Sequence, residues 1–198
     1  MEESKKEKAP SRSHEWPLME RDTKTSLEVP ADQSVIEEKA IELIKQGKFS
    51  ESEYIFRTLI SKGDGTHTVY ANLAAICGMQ NRFDEVIELL HKALTLKPDY
   101  GEAHYNLGIA LKKQGYLEAA IASYKTALKL EHECPQIHYS LGIALYQQGD
   151  LDTAVKEFKI ALKLKDNYPE AHYNLGVSLK KQGDHIGAIT SYKAALKY

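Results

Sequence analysis

Residues 102–115 read EAHYNLGIALKKQG, and residues 170–183 read EAHYNLGVSLKKQG. The two stretches lie 68 residues apart, and Pro135-Gln136-Ile137-His138-Tyr139-Ser140-Leu141-Gly142 falls midway between them. The chain therefore repeats with a period of 34 residues. Five copies follow, at about 33–66, 67–100, 101–134, 135–168 and 169–198. Leu73, Leu107, Leu141 and Leu175 share one repeat position, and Ala74, Gly108, Gly142 and Gly176 share the next. Ala120, Ala154 and Ala188 share a later one, as do Ala93, Ala127, Ala161 and Ala195.

Elementary physics turns this pattern into helices. Leu107 and Leu111 stand at helical spacing with Gly108 beside them. Gly115, Gly149 and Gly183 are expected to end that helix, where a left-handed cap costs least. Asp150 and Asp184 follow as N-caps of a second helix. That helix carries Ala120, Ile121, Tyr124, Ala127 and Leu128, again at helical spacing. Small residues let the two helices approach, and large ones fill the space between them. One such hairpin cannot bury its apolar face alone, so successive hairpins must stack.

A period of 34 with small residues at fixed positions resembles the tetratricopeptide repeat family. The resemblance covers about 166 of the 198 residues. It implies an all-α, right-handed superhelical solenoid of about five 34-residue helix-turn-helix repeats, with a concave and a convex wall. Repeats 3 to 5 match closely. Repeat 2 is looser, with Asn81 in place of the turn glycine and Cys77 at a core position. Repeat 1 diverges most: Lys39 stands where a leucine is expected. Ser34-Val35-Ile36-Glu37 and Ser50-Glu51-Ser52-Glu53 read as capping boxes that start its two helices.

Composition narrows the function. A hydrophobic fraction of 42% is enough for a packed core. The net charge of −2, from 26 basic and 28 acidic side chains, gives no broad basic field for nucleic acid or anionic lipid. Cys77 and Cys134 alone make neither a disulfide framework nor a C-x-x-C metal pair, which fits a reducing, cytoplasmic setting. The N-terminus has no apolar run of signal-peptide length. No stretch approaches the roughly 18 apolar residues of a membrane helix. Residues 1–32 are charged, contain Pro10, Pro17 and Pro30, and read as a disordered tail. Within it, Glu15-Trp16-Pro17-Leu18-Met19 is the one apolar island: an incidental cluster, a docking motif, or a strip that folds back onto the array.

The face opposite the core positions of each first helix is the candidate binding surface. In repeat 3 it holds Glu102, Tyr105, Asn106, Ile109, Lys112 and Lys113. Tyr105, Tyr139 and Tyr173 form one row, and Ile109, Ile143 and Val177 another. Asn72, Asn106 and Asn174 form a third, with Ser140 in the gap. Lys112, Lys113, Lys180 and Lys181 stand at the rim, where repeat 4 has Tyr146 and Gln147. Asn donates and accepts at once, so such a ladder suits a peptide backbone of any sequence. Tyrosines add contact area at small entropic cost, and lysines attract acidic flanks. The Tyr and Ile/Val rows have a second reading, as side chains packed against the next repeat. The Asn row resembles the ladder in the repeat arrays of protein O-linked N-acetylglucosamine transferases, which implies peptide binding at Asn72, Asn106 and Asn174; Ser140 interrupts it. Chaperone-binding tetratricopeptide domains, by contrast, clamp a carboxylate with basic residues. Glu102, Glu170, Tyr105 and Tyr139 cannot form that clamp.

Catalytic and cofactor chemistry is not expected. His104, His138 and His172 recur every 34 residues, so they stand roughly a helix diameter apart, about 10 Å, against the 2 Å that zinc requires. No glycine-rich phosphate loop follows a strand. Without a further helix after Tyr198, Ile189, Tyr192 and Leu196 are expected to be partly exposed. A longer native chain, a partner or second copy, and a tolerated bare end all account for that. Two functions follow: a protein-binding scaffold or adaptor, or the substrate-recruiting segment of a larger glycosyl- or sulfotransferase.

Overall fold

The computed structural model describes residues 31–131 and 133–198; the expected tail, with its Glu15–Met19 island, lies outside them. Ten helices follow one another among the described residues. They pair as α1 (Ala31–Lys45) with α2 (Phe49–Ser61), α3 (His67–Met79) with α4 (Phe83–Leu96), and α5 (Gly101–Lys113) with α6 (Leu117–Leu130). Then come α7 (Pro135–Gln148) with α8 (Leu151–Leu164) and α9 (Pro169–Gln182) with α10 (His185–Lys197). Each hairpin packs on the next, and one continuous core runs through all five. The array is a right-handed superhelical solenoid.

The turns inside the hairpins follow the sequence closely. Gly115, Gly149 and Gly183 adopt φ of +85°, +97° and +89°. Asn81 does the same at +61°, a conformation Asn tolerates better than most side chains. In each turn the next amide closes a six-residue ring onto the helix. Tyr116 donates to the Leu111 carbonyl at 2.9 Å, and Arg82 donates to that of Cys77 at 2.9 Å. Asp150 accepts from the Thr153 amide at 3.1 Å and Asp184 from that of Gly187 at 2.8 Å, so both expected N-caps form. The two capping boxes of repeat 1 do not form. Helix α1 opens at Ala31, ahead of Ser34, and α2 opens at Phe49 behind Lys48, with no side-chain cap. Both serines thus lie inside their helices. Ser52 instead donates across the hairpin to the Ala40 carbonyl at 2.7 Å.

Close approach within the hairpins rests on one recurring pair. Gly108 faces Tyr124, Gly142 faces Phe158 and Gly176 faces Tyr192. A Cβ on Gly108 would lie 2.5 Å from the Tyr124 ring, and one on Gly142 would lie 2.7 Å from Phe158. Repeat 2 replaces this pair with Ala74 and Leu90, both fully buried: a larger small residue and a smaller large one.

Between hairpins a second recurring pair appears. Gln114 donates to Asp84 at 2.6 Å, Gln148 to Glu118 at 3.3 Å and Gln182 to Asp152 at 2.6 Å. The junction of repeats 1 and 2 uses a denser charge cluster: Arg82 meets Glu53 at 2.7 Å and Glu85 at 3.1 Å, and Arg57 meets both acids as well. Partial burial alone would raise the Glu53 carboxyl, but hydrogen bonds from Arg82 and Arg57 outweigh it and hold Glu53 below the usual carboxylate range.

Two tests follow. Gly108→Ala is expected to lower stability by about 1 kcal/mol in urea unfolding, because overpacking against Tyr124 outweighs the helix-propensity gain of similar size. Glu53, with a depressed folded pKa, contributes stability that is present above the unfolded carboxylate pKa. The advantage of the wild-type chain over Glu53→Gln should therefore be full at neutral pH and fade as pH falls through the acid range. A pH series of urea midpoints checks this.

Candidate functional site

The inner wall is built by the first helix of each repeat, α3, α5, α7 and α9. Its tyrosine row is not free to bind along its whole length. The Tyr105 ring packs on Tyr124 of its own repeat, with centroids 5.9 Å apart, and Tyr139 packs likewise on Phe158 at 6.0 Å. Each hydroxyl then reaches the next repeat. Tyr105 Oη lies 3.3 Å from Ser140 Oγ, and Asn174 Nδ2 donates to Tyr139 Oη at 3.0 Å. The rule is simple: the fifth residue of one repeat bonds the sixth residue of the next. Tyr105 is buried and Tyr139 half-buried as a result, so for these two the side-packing reading describes the structure.

The asparagine row lies deeper in the wall. Asn72 and Asn106 are 1% and 0% exposed, and neither amide presents itself to the groove. The inner wall is closed around them: Ala71, Ala75, Ile109 and Ala110 are buried as well, with α5 packed on α4 of the preceding repeat. Among the described residues, neither polar atom of Asn106 has a hydrogen-bond partner. The rule above explains this: the preceding repeat carries Ala71 at the fifth position, and alanine has no hydroxyl to offer. Asn174 alone of the three is half-buried at the wall. Its Nδ2 also donates to the Glu170 carbonyl at 2.9 Å, which leaves its oxygen as the acceptor.

The wall opens in repeats 4 and 5. Tyr173 is 57% exposed, its ring resting on Tyr192 with centroids 5.7 Å apart. Ile143, Tyr146 and Val177 are half-buried along the same strip. Lys180 and Lys181 are exposed at the rim, and the Lys181 ammonium sits 4.9 Å from the Tyr146 ring centroid. Lys112 is half-buried and Lys113 exposed further back. The junction tyrosine Tyr168 was not anticipated from the sequence. Its ring packs at a tilt against Tyr139 with centroids 4.9 Å apart, and burial, with Tyr139 beside it, pushes its hydroxyl far above the usual range. Tyr100 holds the same place 68 residues earlier, and that spacing was the available signal.

The polar groups elsewhere are structural. His104 Nε2 lies 2.9 Å from the Pro98 carbonyl, His172 Nε2 lies 3.0 Å from that of Asp166, and His138 Nδ1 pairs with Glu157 at 2.7 Å. Among the described residues, no three His, Cys, Asp or Glu side chains cluster to hold a metal ion. Burial, with Glu85 adding to it, pushes the Cys77 thiol up to about 12, and Arg82 Nη2 donates to its sulfur at 3.1 Å. Burial raises the Cys134 thiol too. Neither is an activated nucleophile. No described helix is long and apolar enough to cross a membrane.

Comparison with known proteins accords with this architecture. A family described as TPR repeat matches residues 79–115, 110–149 and 144–183, and one described as tetratricopeptide repeat matches 169–198. The chain belongs to the tetratricopeptide repeat family. MamA from Desulfovibrio magneticus RS-1 superposes with a TM-score of 0.78 at 15% identity, over 84% of this chain and 94% of that one. A second MamA structure gives 0.75 at 21% identity, over 80% and 92%. At such identities the likeness concerns the fold. The peroxisomal targeting signal receptor of Kluyveromyces lactis is 36% identical over 74 residues, which are 37% of this chain and 13% of the receptor.

Replacing the unpartnered, fully buried Asn106 separates scaffold from ladder. A buried amide without a hydrogen bond costs about 1–3 kcal/mol, so Asn106→Leu is expected to raise the urea midpoint by an amount worth about 1 kcal/mol. Asn174→Leu breaks the bond to Tyr139 and should lower it.

Proposed function

We propose that this chain is a protein-interaction scaffold that binds an extended peptide on the inner wall of repeats 4 and 5. The observation that carries the reading is the exposed Tyr173 beside the acceptor oxygen of Asn174, with Lys180 and Lys181 two helical turns beyond. Successive first helices lie about 10 Å apart, the length of about three extended residues. Every third residue of a bound strand thus meets an equivalent position. Asn174 accepts a backbone N–H, Tyr173 and Tyr146 supply contact area, and the lysines favour acidic side chains at one end. The family relationship supports protein binding as the general role, and a receptor for a targeting signal is among the proteins with matching sequence. Buried Asn72, Asn106 and Tyr105 frame this site rather than touch the ligand.

The test is fluorescence anisotropy with a labelled acidic extended peptide and a basic peptide of equal length. The acidic peptide should bind more tightly, and affinity should fall with salt. Lys180→Glu with Lys181→Glu should weaken it by about tenfold, equivalent to about 1.4 kcal/mol. Tyr173→Ala should weaken both peptides. Equal affinity of both peptides for the wild-type chain and the lysine variant rules the site out.

A second reading concerns self-association. Ile186 is 81% exposed and Leu196 87%, with Ile189 also exposed on α10. These form an apolar face that a second copy would cover. Sedimentation across a concentration series, with Ile186→Lys as the variant, decides it: a concentration-dependent dimer lost in the variant supports the reading, and a strict monomer ends it.

A further inference from the structure

The opposite end of the array carries a shaped wall. Lys39, Leu43, Ser50, Glu51, Tyr54 and Ile55 enclose a cleft of about 400 Å³ between α1 and α2. Its floor is apolar, from Leu43 and Ile55, and Tyr54 stands 73% exposed at its side.

The repeat identifies what this wall is. Lys39, Glu51, Tyr54 and Ile55 become Leu73, Glu85, Glu88 and Leu89 when shifted by one period of 34. Those four residues line a second cleft, of about 290 Å³, opposite Arg57, Ile60 and Ser61 of the repeat before. The wall is therefore the surface each repeat turns towards its predecessor. In repeat 2, Glu85 is met there by Arg57. In repeat 1 no described element occupies the corresponding side, and Lys39 replaces the leucine. An occupant of this wall must be small, apolar in the centre, and charged with both signs at its edges.

One segment of the chain has that chemistry and precedes α1 in the sequence. Trp16-Pro17-Leu18-Met19 is the apolar island of the preceding residues, flanked by Glu15 on one side and Glu20-Arg21 on the other. Eleven residues separate Met19 from Ala31, where α1 begins, and an extended chain of that length reaches about 40 Å. Helix α1 has 15 residues and spans only about 22 Å, so the reach covers its whole length and the cleft beside it. Glu15 or Glu20 would face Lys39, and Arg21 would face Glu51, repeating the acid–base pairing of the next junction. We propose that the Trp16–Met19 segment seats in the cleft between α1 and α2 and closes the N-terminal end of the array in place of a preceding repeat.

Trp16 is the single tryptophan of the chain, so its fluorescence reports this contact alone. In the full chain, emission should lie at shorter wavelength than in the urea-unfolded chain, and acrylamide should quench it several-fold less. Both signals should be independent of protein concentration. Lys39→Glu with Tyr54→Asp, at two exposed positions, should return emission and quenching to the unfolded values while circular dichroism shows unchanged helix content. Three results overturn the proposal. The first is a wild-type Trp16 quenched as in the unfolded chain. The second is protection that appears only as concentration rises, which assigns the cleft to a second copy. The third is protection that survives the double variant, which places the segment elsewhere.

Discussion

The array depends on a contact between a helix position without a side chain and an aromatic ring. Gly108, Gly142 and Gly176 present bare backbone to Tyr124, Phe158 and Tyr192. The ring fills the space a Cβ would take, which sets how near the two helices of a hairpin can come. That distance sets the pitch at which hairpins stack, because each second helix is a wall for the next repeat. The left-handed turns at Gly115, Gly149 and Gly183, and at Asn81, then reverse the chain without spending residues. Everything on the inner wall inherits this spacing.

A tight spacing has a cost for binding. When first helices lie close, a side chain meant for the groove finds the adjacent repeat within reach and bonds to it. Tyr105 and Tyr139 do this, each linking its own second helix to the following first helix. The same side chains that look like a binding ladder are thus struts between repeats, and the wall is closed in the middle of the array. Asn106 marks where the strut is missing. Its fully buried amide has no partner among the described residues, because the residue one repeat before is Ala71. The lattice of struts ends at Tyr173, and there the wall opens, with the lysines of α9 beside it.

The two ends of the array differ in kind. Repeat 1 turns outward a cleft with mixed charge at its edge, Lys39 and Glu51. Repeat 5 turns outward α10, on which the acid of the earlier junctions, at Asp84, Glu118 and Asp152, is replaced by Ile186. A further repeat bearing the usual glutamine would find no acceptor there. The first end suits a short amphipathic segment and the second suits an apolar surface, so a simple head-to-tail stack of copies matches neither.

Much of this was legible in the sequence, and for a plain reason. Helix period, turn glycine, aspartate cap and small core residue are local features, and a 34-residue repeat prints each of them several times. The ten helices, the turns after Gly115, Gly149 and Gly183, the caps at Asp150 and Asp184, and the burial of Cys77 all follow from local chemistry. The capping boxes at Ser34 and Ser50 misled because α1 and α2 begin earlier than those serines. What the repeat could not convey is which side of a helix is covered by a neighbour. A helical wheel divides a face into core and surface for one helix alone. It placed Asn72, Asn106 and Tyr105 on the open side, where packing between successive repeats then buried them. Exposure at Tyr173 and Asn174 is likewise a matter of what packs beside them, not of their own helix. The sequence by itself determined the hairpin and its period. Only the tertiary structure decided which part of the inner wall is left to bind, because that depends on the distance between repeats and on the residue one period away.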